Sequence, residues 1–194
     1  DSNRIIGGPG DDLLIGTSGN DIFIFYDGWG NDQVIETSGA GSDTLDFSNV
    51  TANLDFSVGG NVSDGTNSVA VTGGRIGILI GGQGSDIFVF NGADDAVSLI
   101  DGQGGDNHLD FSILVSDLTV TLSGVGAIVG FDGRVTGLVG QFTNVTKITG
   151  GTGQDTLVGL NADSIWQVAV ISQYTSGATL VFTEIDNLQG GSGA

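Results

Sequence analysis

Gly7-Gly8-Pro9-Gly10-Asp11-Asp12-Leu13-Leu14-Ile15 sets the pattern on which the chain is built. The same spacing returns as Gly81-Gly82-Gln83-Gly84-Ser85-Asp86-Ile87-Phe88-Val89 and as Gly150-Gly151-Thr152-Gly153-Gln154-Asp155-Thr156-Leu157-Val158. Each copy places glycine first, second and fourth, Asp sixth and a large apolar residue eighth. Glycines so spaced permit a tight turn and close approach of neighbouring backbones. The turn carbonyls then face a common space, and the Asp adds a hard anionic oxygen of the kind Ca²⁺ takes. The last three residues make a short strand with one side chain turned inward. One such unit cannot bury its apolar residue alone, so copies must stack.

Weaker copies follow at Gly16–Ile24, Asp27–Ile35 and Ser38–Asp46. Every second motif begins at 16, 38, 59, 81 and 102, in steps of 21 or 22. That regularity predicts one column of sixth-position residues: Asp21, Asp43, Asp64, Asp86 and the pair Asp106 and Asn107. Asp12 and Asp32 begin a second column on the opposite edge, and Asp155 occupies the same place in the third full copy. The expected fold is all-β, a right-handed parallel β-roll or β-helix solenoid with coils of about 21 residues. At a strand spacing of roughly 4.8 Å, about nine coils would make a rod near 40 Å long.

A coarser repeat overlies this one. Asp21-Ile22-Phe23-Ile24-Phe25 matches Asp86-Ile87-Phe88-Val89-Phe90, and Leu45-Asp46-Phe47-Ser48 matches Leu109-Asp110-Phe111-Ser112. The chain reads as one continuous domain over 1–194, with coarse units 7–75, 81–147 and 150–194. The stretches 49–75, 113–147 and 165–188 alternate like strands but carry weaker motifs, whose turns have mostly lost the calcium signature. They are expected to be further coils, in preference to an inserted β-sandwich. Phe23 and Phe25 are expected to point inward. Ile22 and Ile24 would then form an outward stripe against another layer or chain, with Ile87, Val89, Leu13 and Ile15 placed likewise.

Acidic residues number 23 against 4 basic ones, for a formal charge of −19. Nucleic acid and anionic membrane surfaces are poor partners for such a chain. A fold this acidic repels itself unless cations sit among the carboxylates. No apolar run reaches the length of a membrane span. There is no Cys, and the single histidine, His108, reads as a surface or strand residue. No nucleophile elbow and no zinc-protease motif is present, so no enzymatic role is expected. Trp29, third in its turn, should sit at the edge, either touching a sugar or protein or, by preference, covering the next coil. Trp166 holds the strand position of Phe23 and Phe88 and is expected in the core. In that unit Ser164 replaces the motif Asp, and no calcium is expected there.

The nonapeptides at 7–15, 81–89 and 150–158 resemble those of the RTX, or haemolysin-type, calcium-binding repeat proteins. The resemblance covers 7–48, 81–112 and 150–158 strongly and the rest weakly. It implies Ca²⁺ between stacked turns, calcium-coupled folding and an extracellular, secreted location. It further implies a structural module of a large bacterial surface, matrix or filament-forming protein. The alternative is a secretion and folding module beside an enzyme or toxin outside this chain. An autonomous polysaccharide-active enzyme has no positive sign. Gly190-Gly191-Ser192-Gly193-Ala194 opens a further nonapeptide and Asp1 supplies the next residue, so copies or adjacent units are expected end to end.

Overall fold

Glycine-rich turns recur too often along the chain for any helix to propagate, and the apolar residues between them alternate at the strand period. The computed structural model describes residues 1–36, 42–92 and 96–191, and among these it is all-β. Ser38, Gly39, Ala40 and Gly41 of the fourth motif lie outside the described residues, as do Ser192, Gly193 and Ala194.

The strands, numbered in chain order, form two sheets. The first runs β1 (Arg4–Ile5), β3 (Ile22–Tyr26), β5 (Asp43–Asn49), β9 (Ile76–Ile80), β11 (Val97–Asp101), β15 (Val139–Val145), β14 (Phe131–Val135), β13 (Thr119–Val125), β17 (Thr156–Val158) and β21 (Asn187–Gln189). The second runs β2 (Leu13–Ile15), β4 (Asn31–Ile35), β8 (Ser68–Thr72), β7 (Val62–Ser63), β6 (Asp55–Ser57), β10 (Ile87–Val89), β12 (His108–Asp110), β16 (Lys147–Thr149), β20 (Thr179–Thr183), β19 (Ser172–Thr175) and β18 (Ile165–Gln167).

From β1 to β6 the chain crosses between the sheets at every strand, and each strand pairs in parallel with a strand two crossings away. Leu13 pairs with Gln33, Ile22 with Thr44 and Ile87 with His108, close to the spacing read from the motifs. Asp12 and Asp32, Asp21 and Asp43, and Asp86 and Asn107 are therefore neighbours across adjacent strands.

The step from Asp43 to Asp64 is different, and the single column expected there is not formed. The stretches 49–75, 113–147 and 165–188 are not successive coils. Each holds an antiparallel meander in one sheet: β6-β7-β8, β13-β14-β15 and β18-β19-β20. The chain enters each at its far strand and walks back. Thus β6 pairs in parallel with the later β10, while β8 pairs with the earlier β4. The second meander repeats this, β13 against β17 and β15 against β11. The glycines of these stretches serve hairpins: Gly59, Gly65, Gly130, Gly137 and Gly177 all have positive φ between antiparallel strands. Asp64 sits in the β7–β8 turn, where its Oδ1 accepts from the amides of Thr66 (2.8 Å) and Asn67 (2.6 Å). It closes its own hairpin in the manner of an Asx turn.

The inward residues form one core between the sheets. Phe25 stacks on Phe47 at 4.5 Å within the first sheet. Phe47 meets Phe56 of the second sheet edge-on at 5.5 Å. The coarse repeat reappears as Phe90 on Phe111 at 4.6 Å, now on the second sheet. An odd number of crossings separates the two units, so the same sequence faces the core from the opposite side. Trp29 is not at an exposed edge: it is 2% exposed and packs against Phe25 and Phe47. Trp166 is half-buried against Tyr174 and Phe182. Ile24 is buried outside this cluster, and Ile22, Ile87 and Val89 are half-buried, whereas Leu13 and Ile15 are exposed.

Candidate metal centre

Strands β2, β4 and β8 pair side by side and end together at Ile15, Ile35 and Thr72. The next residues continue the ladder: the Gly16 amide donates to the Ile35 carbonyl and the Glu36 amide to the Thr72 carbonyl, both at 2.9 Å. Glu36 is thus flanked by Gly16 in one neighbouring strand and by Gly73 and Gly74 in the other. Added β-carbons at Gly16 and Gly74 would collide with its side chain. Glycine on both sides makes the room that lets the Glu36 carboxylate lie inside the crossover to the first sheet.

There it meets the two motif carboxylates that introduce β3 and β5. Asp21, Glu36 and Asp43 each offer one oxygen, and the three atoms lie within 4.8 Å of one another. The residues are 0%, 2% and 5% exposed. Asp21 is held as an anion. The Thr17 amide donates to its Oδ2 at 2.7 Å and the Asn3 amide to its Oδ1 at 2.7 Å. The Thr17 bond leads the causes that put its pKa below the usual value, with burial opposing. The Asp21 amide in turn donates to Asp43 Oδ1 at 2.8 Å.

Glu36 is the opposite case. Its carboxyl pKa is pushed up to about 7, first by burial, then by the charges of Asp43 and Asp21 and by hydrogen-bonding contact with Asp43. Its Oε1 is buried without a hydrogen-bond partner. Two carboxyl groups in contact must share a proton or a cation, and a third anion beside them favours the cation. The donor set is oxygen only, anionic and three-fold, so it could hold a hard metal cation without being specific to one. Glu36 was not singled out by the sequence reading. It stands in the two-residue insertion between the third and fourth motifs, outside the repeat. Its one signal is rarity: the chain has a single other glutamate, Glu184.

A second carboxylate pair lies at the opposite crossover. The Asp12 amide donates to Asp32 Oδ1 at 2.9 Å, and Oδ2 of both residues is buried without a partner. Burial, followed by the nearby Asp12 and Asp11 charges, raises the Asp32 pKa once the Asp12 amide bond is set against it.

The remaining predicted residues are placed otherwise. Asp86 and Asp155 are fully buried, each beside the backbone of a neighbouring strand. Asn107 is also fully buried and holds the sixth position, while its neighbour Asp106 is exposed. Asp64 belongs to its hairpin. His108 lies on β12, with Nε2 2.8 Å from Thr149 Oγ1. Its pKa falls to about 4 through burial and the Lys147 charge, so the ring is neutral at neutral pH. No helix among the described residues is long and apolar enough to cross a membrane.

No family model matches the chain, and no curated protein matches it.

Proposed function

We propose that the chain is a structural, extracellular Ca²⁺-binding module of a large bacterial surface or matrix protein, and that cation binding completes its fold. The observation that carries this reading is the unpartnered, buried Oε1 of Glu36 beside Asp21 and Asp43. Three buried carboxylates repel one another in the absence of a cation, so binding energy appears as folding energy. Asp12 and Asp32, with two unpartnered oxygens, would hold a second ion. The finer fold proposed is a parallel β-roll widened by three meanders. It is supported by parallel strand steps of 20 to 22 residues on both sheets. The extracellular setting, and association with further copies or units end to end, follow from the RTX resemblance. No catalytic step is assigned.

Calorimetric titration of chelator-treated protein with CaCl₂ tests the proposal, with circular dichroism followed in parallel. The expected result is saturable uptake and a gain in melting temperature. A flat titration with an unchanged melting curve would sink it.

A further inference from the structure

We infer that cation dependence is confined to the first part of the chain, and that Asp86 and Asp155 are metal-independent latches joining an inserted meander to the strand that follows it. The inference rests on the calcium reading of the Glu36 centre and divides the motif carboxylates into two classes.

The two latches share one geometry. Asp86 Oδ2 accepts from the Gly82 amide of its own turn at 2.6 Å, and Oδ1 from the Leu54 amide at 2.9 Å. Asp155 repeats both bonds, with the Gly151 amide at 2.6 Å and the Leu118 amide at 2.9 Å. Leu54 and Leu118 immediately precede β6 and β13, the far strands of the first two meanders. Those strands pair in parallel with β10 and β17, which Asp86 and Asp155 introduce. Each carboxylate therefore staples the entrance of a meander to the strand it must register with. Each oxygen of these two carboxylates thus has an amide donor of its own. Asp21 accepts the same pair, from Thr17 and Asn3, so the division rests on the unpartnered carboxylate oxygen of Glu36 beside Asp21, which has no counterpart at Asp86 or Asp155.

Asn107 supports the division. The Asp86 amide donates to Asn107 Oδ1 at 3.1 Å, the bond that the Asp21 amide makes to Asp43 and the Asp155 amide to Asp186. An uncharged side chain thus fills the sixth position in this ladder. Its Nδ2 donates to the carbonyls of Gly104 (2.8 Å) and Asn144 (3.0 Å), placing N–H groups where a metal ligand needs a lone pair.

The unmet polar atoms fall on the other side of the division. Among the described residues, the buried side-chain atoms without partners belong to Asp12, Trp29, Asp32, Glu36 and Ser42. Neither Asp86 nor Asp155 is among them, and the one described group of three potential ligands is Asp21, Glu36 and Asp43. Among the described residues, the buried carboxylate oxygens without a partner belong to Asp12, Asp32 and Glu36, all in the first part of the chain.

The experiment is hydrogen exchange read by mass spectrometry on the whole chain, calcium-loaded and after chelation, with equilibrium dialysis of radioactive calcium on the wild type, Asp43→Asn and Asp155→Asn. Chelation is expected to speed exchange about tenfold or more over 12–36 and 42–49 and to leave the segments holding Leu54, Gly82, Leu118 and Gly151 unchanged. Asp43→Asn should lose a calcium equivalent and Asp155→Asn none. Equal deprotection at both ends, or a calcium lost with Asp155→Asn, would overturn the division while leaving the calcium reading intact. Absence of calcium uptake by the wild type would overturn both. Should Asp155→Asn fail to fold, exchange in the wild type decides.

Discussion

The carboxylate of Glu36 rests against the α-carbon of Gly16, so closely that a methyl group on Gly16 would fall on Oε1. The two residues follow the ends of paired strands, and the glycine exists in this register to admit the glutamate. Gly16→Ala should therefore act as an indirect Glu36 variant. Calcium affinity is expected to fall about tenfold or more, the scale of losing positioning around a metal ligand. Gly124→Ala is the control, since nothing lies within 4 Å of a β-carbon there. Equal affinities for the two variants by calorimetry would refute the role given to Glu36.

The same carboxyl sets a pH dependence. Its folded pKa of about 7 lies above the ordinary 4.5. Without metal, the native state holds a proton that the unfolded chain has released. The associated stability is complete below pH about 4.5 and is lost as pH rises toward about 7. Chelated protein should accordingly melt at a lower temperature at pH 8 than at pH 5. Asp86, also raised to about 7 by burial, adds to that slope. Calcium must displace the Glu36 proton, so apparent affinity should rise between pH 5 and 8. Glu36→Gln should weaken the pH dependence of affinity and reduce the stability slope, leaving the shares of Asp86 and of the other raised carboxyls, Asp32 and Asp132. An affinity independent of pH in the wild type would count against the centre.

Trp29 separates a core role from a ligand-contact role. It is buried edge-on against the stacked Phe25 and Phe47, and its Nε1 finds no acceptor. Trp29→Phe keeps an aromatic ring and removes the unpartnered donor, so it should change stability by less than about 1.5 kcal/mol. Trp29→Ala should cost about 3–5 kcal/mol. Urea melts of both variants make the check. A marked loss with Phe would mean that the indole N–H has a partner.

The parts of the fold legible in the sequence were those carried by local periodicity. Glycine spacing and strand alternation point to parallel neighbours, and the pairings of Leu13 with Gln33 and Ile87 with His108 agree. The meanders were not legible for a physical reason. A Gly-Asn-Ser cluster marks a turn without saying whether the next strand crosses to the other sheet or folds back. At Gly65 and Gly137 the turn folds back, with positive φ between antiparallel strands. Glu36 escaped because the repeat says nothing about residues inserted between motifs. It reaches Asp21 and Asp43 only after β2, β4 and β8 have been laid side by side.

Asp64 puts that distinction to a direct test. Read by spacing, it belongs between Asp43 and Asp86 and should share a cation with them. In the fold its Oδ1 accepts from the amides of Thr66 and Asn67, and its Oδ2 from Asn67 Nδ2 at 2.8 Å. Every one of those partners lies within three residues, inside one hairpin. Asp64→Ala should therefore lower stability by about 1–2 kcal/mol, the value of one or two turn-closing hydrogen bonds. The loss should be equal in calcium and in chelator, with calcium stoichiometry unchanged. Asp43→Ala should differ on both counts, losing an ion and costing more stability in calcium than in chelator. If Asp64→Ala also lost an ion, Asp64 would have to reach a neighbouring carboxylate, and the antiparallel β7–β8 pairing that keeps it within its own hairpin would be wrong.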